Sequence, residues 1–233
     1  MAHLFPQLAV GQHLCSLYQS PEEKYAAVIP FFYPALEKGL RSAYICDEDS
    51  IPEVMAAFAH RGLPLAPYLD RGQWQFFSSE TTYLHVRQFE IERMMDFWRG
   101  LERAACQQGY AGLCVSGEMT WLLRKLPGWE EAIEYEAALN KVIPEMRVVV
   151  LCQYNCARFS PDLLQAALET HPLVMLDGKI LRNFYYIPAE DYLAGSERPQ
   201  RLFRQRLAHL REREAVEAEL RASQQRYFDL YEN

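Results

Sequence analysis

The sequence has no long apolar run and no excess of basic residues. No apolar stretch approaches the ~18 residues that a membrane span requires. The first fifteen residues carry no Lys or Arg ahead of an apolar segment, as a secretory signal would. The formal net charge of -7 offers no broad basic face to phosphate groups. We therefore expect a cytoplasmic protein that binds neither a membrane nor a nucleic acid.

The phosphate-binding and nucleophile motifs are also missing. Neither G-x-x-x-x-G-K-[ST] nor G-x-G-x-x-G follows a predicted strand, and the first strand runs directly into Tyr18-Gln19-Ser20-Pro21. Without these glycines the backbone cannot cradle a phosphate, so conventional ATP or NAD binding is not expected. No G-x-S-x-G elbow is present, and no catalytic residues are predicted. We expect this segment not to be an enzyme.

The six cysteines form no C-x-x-C pair. They are scattered through apolar segments of a chain of 233 residues, which is long enough to bury a core without covalent crosslinks. This pattern favours reduced thiols that behave as small core residues. The sequence predicts no required cofactor. A metal site is the weaker alternative, and its donor residues would be His13, Cys15, Cys152, Cys156 and His171.

Short apolar runs alternate with helical segments from residue 10 to about 187. This rhythm predicts an α/β fold with a mostly parallel sheet flanked by helices. Helices are expected at 85–108, with Val86 in the buried stripe, at 129–143, and after Ser160. A first helix should kink or begin near Pro30, because Pro30 and Pro34 each remove a backbone donor. The dipeptide Asp177-Gly178 predicts a terminal antiparallel hairpin. The predicted strands are His13–Tyr18, Ala43–Cys46, Trp74–Phe77, Gly112–Ser116 and Met146–Cys152.

Composition changes after Gly195, which predicts one domain at 1–195 and a helical segment at 196–233. The second segment has no glycine and no proline beyond Pro199, so one long helix is expected. Two interpretations stay open: a solvated helix that packs on its own domain, or a coiled-coil seam between two copies of the chain. The seam follows steps of three and four residues and includes Arg213, Ser223 and the proposed contacts Val216, Leu220, Tyr227 and Leu230.

The carboxyl ends of parallel strands are where open sheets bind ligands. The residues expected there are aromatic or sulfur-containing with few polar groups, which suits a small and fairly apolar ligand. The predicted strand ends are Tyr18, Asp47-Glu48, Ser78-Ser79, the segment 116–121 and the segment 153–156.

These segments carry a family resemblance that covers about residues 10 to 190. The chain resembles the MEDS domain, the sensory domain of methanogen and methylotroph regulators. Its matching segments are His13 to Tyr18 followed by Pro21-Glu22-Glu23, Gly39-Leu40 before Ala43 to Cys46, Gly109-Tyr110-Ala111-Gly112 before Gly117 to Trp121, Tyr135-Glu136, Leu151 to Tyr154, and His171-Pro172.

The resemblance implies a sensor of hydrocarbon derivatives or other small molecules, on a RecA/KaiC-like fold without its phosphate loop. Family members commonly precede PAS and histidine-kinase domains, and the segment 220–233 resembles the start of a PAS domain. The resemblance therefore implies a module of a two-component histidine kinase, with those domains and a second copy of the chain as partners. It assigns no catalytic residue and no individual ligand contact.

We expect the ligand pocket to form from His13, Cys15, Tyr18, Glu118, Trp121, Cys152 and Tyr154. Trp121 and Tyr154 would be its apolar walls, Glu118 its polar anchor, and His13 and Cys15 would orient the ligand. Two rival hypotheses stay open. One is a thiol or metal sensor that uses Cys15, Cys152 and Cys156, and the other is a scaffold that binds only proteins.

Overall fold

A computed structural model describes residues 8–84, 87–176 and 178–231, without the side chains of residues 230 and 231. Backbone contacts divide the chain into two compact units, Met1–Ala189 and Glu190–Asn233. Of the helices in the described ranges, none has both the length and the apolar character needed to cross a membrane.

The first unit is built on one seven-stranded sheet in the order β3-β2-β4-β5-β1-β6-β7. Every neighbouring pair is parallel except β6 and β7, which are antiparallel, so the predicted fold class and the terminal hairpin are confirmed. Residue Asp177 of the predicted turn lies outside the described residues. The strands are β1 His13–Tyr18, β2 Arg41–Cys46, β3 Trp74–Ser78, β4 Leu113–Glu118, β5 Val148–Asn155, β6 Leu173–Leu176 and β7 Lys179–Arg182.

Two central strands run further than the apolar pattern predicts. β4 continues past Ser116 to Glu118, and β5 continues past Cys152 to Asn155. Their polar ends are buried and stand opposite each other, because Glu118 is in register with Gln153. These polar residues are therefore held by the ladder rather than by flexible loops.

The α-helices of the first unit cover both faces of the sheet. Short 3-10 helices lie at Thr120–Arg124, Trp129–Glu131, Ile143–Glu145 and Gly195–Glu197. The α-helices are α1 Pro21–Glu37, α2 Ile51–His60, α3 Ala66–Asp70, α4 Ser79–Thr82, α5 Ile91–Gln107, α6 Ala132–Val142, α7 Pro161–Thr170, α8 Ala189–Tyr192 and α9 Arg198–Tyr231.

Helix α1 begins at Pro21 and not near Pro30. Ser20 caps it by accepting a hydrogen bond from the Glu23 amide, and a proline at the first helical position has no amide to satisfy. The helix continues through Pro30 and Pro34, although each lacks a backbone donor. Burial of apolar side chains between and beside these prolines offsets that cost; they include Val28, Ile29, Phe31, Phe32, Ala35 and Leu36.

Helix α5 begins six residues later than predicted. Arg87 has a positive φ of 60°, which is incompatible with a helix, and the Phe89 amide donates to the Pro127 carbonyl at 3.0 Å. The predicted stripe residue Val86 lies outside the described residues. Near the predicted start of α6, a 3-10 turn at Trp129–Glu131 precedes the α-helix.

Alternate residues of each strand point to two separate cores. On β5, Val150, Cys152 and Tyr154 face the core that contains residues of α5 and α6, which we call the α5 face. Val149 and Leu151 belong to the core that contains residues of α1 and α2, which we call the α1 face. The sheet separates these two faces, so neighbouring residues in sequence lie in different environments.

The second unit contains the predicted long helix. Helix α9 spans 34 residues, and the side chains that the structure describes in its second half are exposed. Val216, Leu220 and Tyr227 are 57 to 60% exposed. The side chain of Leu230 lies outside the described residues.

Candidate functional site

All seven predicted pocket residues are buried, but they do not lie together. His13, Cys15, Cys152, Trp121 and Tyr154 are on the α5 face. Tyr18 and Glu118 lie on the α1 face, because each is an odd number of residues away from the residues of its own strand that point to the α5 face. The sheet therefore divides the predicted pocket into two sites, and Glu118 is not an anchor for a ligand held by Trp121.

Aromatic side chains fill the α5 face beside the carboxyl ends of the strands. Trp121 is fully buried and stacks on Tyr83 and Phe89, with ring centroids 5.0 and 5.1 Å away. Tyr154 is fully buried and meets the ring of Phe159 at 5.6 Å. A cavity of about 310 Å³ lies near the opposite ends of the strands, lined by residues that include Val10, Leu40, Ala111 and Val149.

Two polar atoms inside this aromatic packing lack partners. Trp121 Nε1 and Tyr154 Oη are buried, and neither makes a hydrogen bond with the residues that the structure describes. Buried donors without partners are uncommon in native proteins, and each needs an explanation. A ligand with a hydrogen-bond acceptor is one such explanation.

Glu118 is the centre of a saturated polar network on the α1 face. Its Oε1 accepts from Lys24 Nζ at 2.8 Å and from Tyr44 Oη at 3.0 Å. Its Oε2 accepts from the backbone amides of Asp47, Glu48 and Asp49 at 2.8 to 3.3 Å. These contacts use the whole carboxylate, so Glu118 holds the β2–α2 connection rather than a ligand.

The same end of the sheet holds further charged groups, of which the sequence analysis named Asp47 as a strand-end residue but not Asp49. Asp49 accepts from Lys24 at 2.9 Å and from the Tyr25 hydroxyl. Asp47 accepts from Ser79, from Thr120 at 2.7 Å and from Arg124. Burial, followed by the charge of Glu118, raises the pKa of Tyr18 beside this network.

A second cluster lies on the α5 face and joins four elements. Its members are His13 of β1, Glu136 of α6, Cys152 of β5 and His171 after α7, all of them buried. One donor atom from each lies within 4.8 Å of the other three. Glu136 Oε2 is 3.1 Å from His13 Nε2, 3.2 Å from His171 Nε2 and 3.4 Å from Cys152 Sγ.

The outer nitrogens of both histidines have fixed partners. His13 Nδ1 lies 3.1 Å from Asn140 Oδ1, and the Asn140 amide group donates to the Thr170 carbonyl at 2.7 Å, which sets its orientation. His171 Nδ1 lies 2.7 Å from the Ala167 carbonyl. Because both acceptors require an N–H, each ring holds a proton on Nδ1 and turns its Nε2 towards Glu136.

Burial and neighbouring groups shift the pKa values of three residues in this cluster. Burial would raise the pKa of Glu136, but its close contacts with His13 and His171 outweigh burial and lower that pKa to about 2. Burial and the neighbouring His171 lower the pKa of His13, despite the opposing contact with Glu136. Burial and the charge of Glu136 raise the pKa of Cys152. A carboxyl group of lowered pKa thus lies beside a thiol of raised pKa.

Three of the five predicted metal-site candidates belong to this cluster, namely His13, Cys152 and His171. Cys15 is buried on the same face in register with Cys152, and Cys156 follows β5, but neither belongs to the four-residue group. Glu136 was missed as a site residue. Its signal is an acidic residue, with Asn140 one helical turn later, in a helix whose Tyr135, Ala137 and Leu139 are buried.

The sheet order and the flanking helices define the RecA/KaiC class of α/β folds. A KaiC-like protein from the hyperthermophilic archaeon Pyrococcus horikoshii OT3 superposes with a TM-score of 0.50 and 14% identity, over 71% of this chain and 70% of that one. The flagellar accessory protein FlaH from Methanocaldococcus jannaschii gives a TM-score of 0.48 and 8% identity, over 76% and 77%.

The chain belongs to the MEDS family. The family profile, described as the methanogen/methylotroph, DcmR sensory domain, matches residues 12–172. This range includes all four residues of the buried cluster on the α5 face. No curated protein matches the chain significantly. The protein thus contains a sensory domain on a RecA/KaiC-like fold.

Proposed function

We propose that this chain is a cytosolic, non-enzymatic sensor of a small molecule in a sensor histidine kinase. Its membership in a sensory-domain family supports the sensing role. The resemblance of residues 220–233 to the start of a PAS domain supports the place in a kinase. The ligand is a small and largely apolar compound with at least one hydrogen-bond acceptor.

The observation that carries the proposal is the pair of buried donors without partners. Trp121 Nε1 and Tyr154 Oη lie in one hydrophobic cluster, and an acceptor on the ligand would satisfy them. The bound compound would share the space of the aromatic packing around Trp121, so binding requires Tyr83 or Phe89 to shift. The protein would then have two arrangements, and the ligand would favour one by its higher affinity for it.

The signal leaves the domain through helix α9 of a homodimer. The exposed Val216, Leu220 and Tyr227 are spaced by four and seven residues, as in a coiled-coil seam. A parallel pair of these helices would respond to the sensory domain by a change in crossing or register. The coupling free energy between ligand binding and this rearrangement of the helices would set how strongly the ligand affects the kinase.

The test is thermal unfolding of the purified chain with dichloromethane, ethanol, acetone and ethyl acetate as separate probes. At least one acceptor-bearing probe is expected to raise the midpoint with saturation, because it binds only the native state. Tyr154→Phe and Trp121→Phe keep an aromatic ring and remove one donor each. Both should reduce the shift. Tyr154→Phe should leave the midpoint of the free protein unchanged, since no hydrogen bond is lost, whereas Trp121→Phe leaves a cavity and should lower it.

Tyr135→Phe is the matched control, because the Tyr135 hydroxyl has a partner in Trp98 Nε1. It should lower the midpoint of the free protein and leave the ligand-induced shift intact. The proposal fails if no probe raises the midpoint, or if both donor variants keep the full shift.

A protein-binding scaffold is the second candidate, and the filled space around Trp121 favours it. A scaffold needs no ligand, so none of the probes would raise its midpoint. It would still dimerise through α9, and Tyr154→Phe would alter neither stability nor assembly. The two functions therefore give different results in the same set of measurements.

A further inference from the structure

We propose that His13, Glu136, Cys152 and His171 bind one zinc ion in a closed, four-coordinate site. The site lies between the sheet and helices α6 and α7, and its donors come from four different elements. It requires no small-molecule ligand, so it stands or fails independently of the proposed sensing function.

Four of the six distances between the donor atoms are close to the edges of a tetrahedron around zinc. Zinc bonds of ~2.0–2.1 Å to nitrogen or oxygen and ~2.3 Å to sulfur give edges of about 3.3 Å, and of about 3.6 Å where sulfur is one member. Glu136 Oε2 is 3.1 and 3.2 Å from the two histidine Nε2 atoms. Cys152 Sγ is 3.4 Å from Glu136 Oε2 and 3.6 Å from His13 Nε2.

The second observation is an unsatisfied nitrogen that faces the centre of the group. His171 Nε2 is buried and makes no hydrogen bond with the described part of the chain, although Glu136 Oε2 is 3.2 Å away. The two Nε2 atoms and a carboxylate oxygen thus converge on one point, where a cation would bind all three.

The charges of the group balance around a divalent ion. In the bound state the Glu136 carboxylate and the Cys152 thiolate would each contribute one negative charge, and two imidazoles that bind through Nε2 would be neutral. Zinc would therefore make the buried site electrically neutral, and its binding displaces the thiol proton of Cys152.

The surroundings are those of a metal site. Asn140 and the Ala167 carbonyl hold the outer nitrogens of the two histidines, and such contacts orient the rings and make them better ligands. Two nitrogens, one oxygen and one sulfur suit zinc better than magnesium or calcium, which prefer oxygen alone. Four protein donors leave no open position for a substrate, so the site is structural or sensory rather than catalytic.

The first test is metal analysis of the chain after refolding with zinc and removal of the excess. We expect about one zinc ion per chain, and native mass spectrometry should show one bound ion on the folded protein. A strong chelator should remove it and lower the unfolding midpoint. A zinc content below about a tenth of an ion per chain would overturn the proposal, and a different ion at full occupancy would overturn the assignment to zinc.

The second test replaces zinc with cobalt(II), whose absorption reports its ligands. The wild-type protein should show the intense visible bands of tetrahedral cobalt and a thiolate-to-cobalt charge-transfer band in the near ultraviolet. Cys152→Ser should abolish the charge-transfer band. Cys114→Ser is the matched control, since Cys114 is equally buried on the opposite face of the sheet and should keep both features.

A third variant separates this site from the alternative that includes Cys15. Cys15→Ser should keep the charge-transfer band, because Cys15 does not belong to the four-residue group. Loss of the band in Cys15→Ser but not in Cys152→Ser would overturn the ligand set. If Cys152→Ser does not fold, the wild-type cobalt spectrum still decides, because octahedral bands without a thiolate band would refute the site.

Discussion

Lys24 Nζ lies 2.8 Å from Glu118 Oε1, and both side chains are almost completely buried. The pair joins the first turn of α1 to the end of β4. Only Gln19 and Ser20 separate β1 from α1, so no loop is long enough to wrap a phosphate there. A buried ion pair thus occupies the end of the sheet where parallel α/β folds bind ligands.

Lys24→Met should destabilise the protein by about 3 kcal/mol. The substitution leaves the Glu118 charge buried without its cation, and loss of one partner of a buried pair costs ~3–5 kcal/mol. Tyr44 and the three backbone amides still bind the carboxylate, which places the expected value at the lower end. Urea denaturation of the variant and the wild type measures the difference.

The double variant Lys24→Met/Glu118→Gln tests the electrostatic cause. Glutamine keeps an oxygen for the backbone amides and removes the uncompensated charge, so the double variant should be more stable than Lys24→Met alone. If the double variant is the less stable of the two, packing around the lysine stem rather than charge explains the loss.

MgATP should leave the unfolding midpoint unchanged. The Glu118 carboxylate already accepts hydrogen bonds from the amides of Asp47, Glu48 and Asp49, a set of backbone donors that could otherwise bind an anion. Lys24 is bound to Glu118 and Asp49 and is not available to a phosphate. Thermal unfolding across a nucleotide titration checks this, and a saturable rise that Lys24→Met abolishes would contradict it.

The mostly parallel sheet and its terminal hairpin follow from residue patterns alone, whereas the order of the strands was not predicted. The apolar runs predicted β4 and β5 as strands, and both of their faces are buried. Asp177-Gly178 predicted the hairpin because few dipeptides adopt a tight turn between strands. Local chemistry is sufficient for such features, since they depend on neighbours in sequence.

The sites could not be predicted in the same way. Cys152 and Gln153 are adjacent in sequence but face different cores, and stricter use of strand alternation would have separated Tyr18 from Cys15. Glu136 reaches His13 only because α6 packs on the sheet in one rotational setting. That setting depends on long-range packing, which no local pattern contains.

Gly117→Ala should destabilise the protein by about 1–3 kcal/mol, the usual cost of overpacking a core. A methyl group at this position of β4 would overlap the hydroxyl oxygen of Tyr83. Tyr83 stacks on Trp121 with a centroid distance of 5.0 Å, so it cannot move away freely. Thermal unfolding of the variant measures the loss.

Two further variants make the Gly117 prediction specific. Gly117→Ala/Tyr83→Phe removes the overlapping oxygen and should recover most of the stability. Gly100→Ala, within α5, adds a methyl group with no atom within 4 Å, and it should stabilise the protein by ~0.5–1 kcal/mol. A double variant no more stable than Gly117→Ala would show that the hydroxyl is not the cause.

Leu220→Glu together with Tyr227→Glu should convert a dimer into a monomer of 27.1 kDa. Both side chains are more than half exposed on α9, so the charges should not disturb folding of the chain. At a coiled-coil seam, however, the same charges would face their counterparts in the second copy and repel them. Ala218→Glu adds a charge about half a helical turn from the seam and should leave the dimer intact. Sedimentation velocity measures the mass of all three proteins, and a wild-type mass of one chain, or an unchanged dimer in the double variant, would show that the seam does not pair.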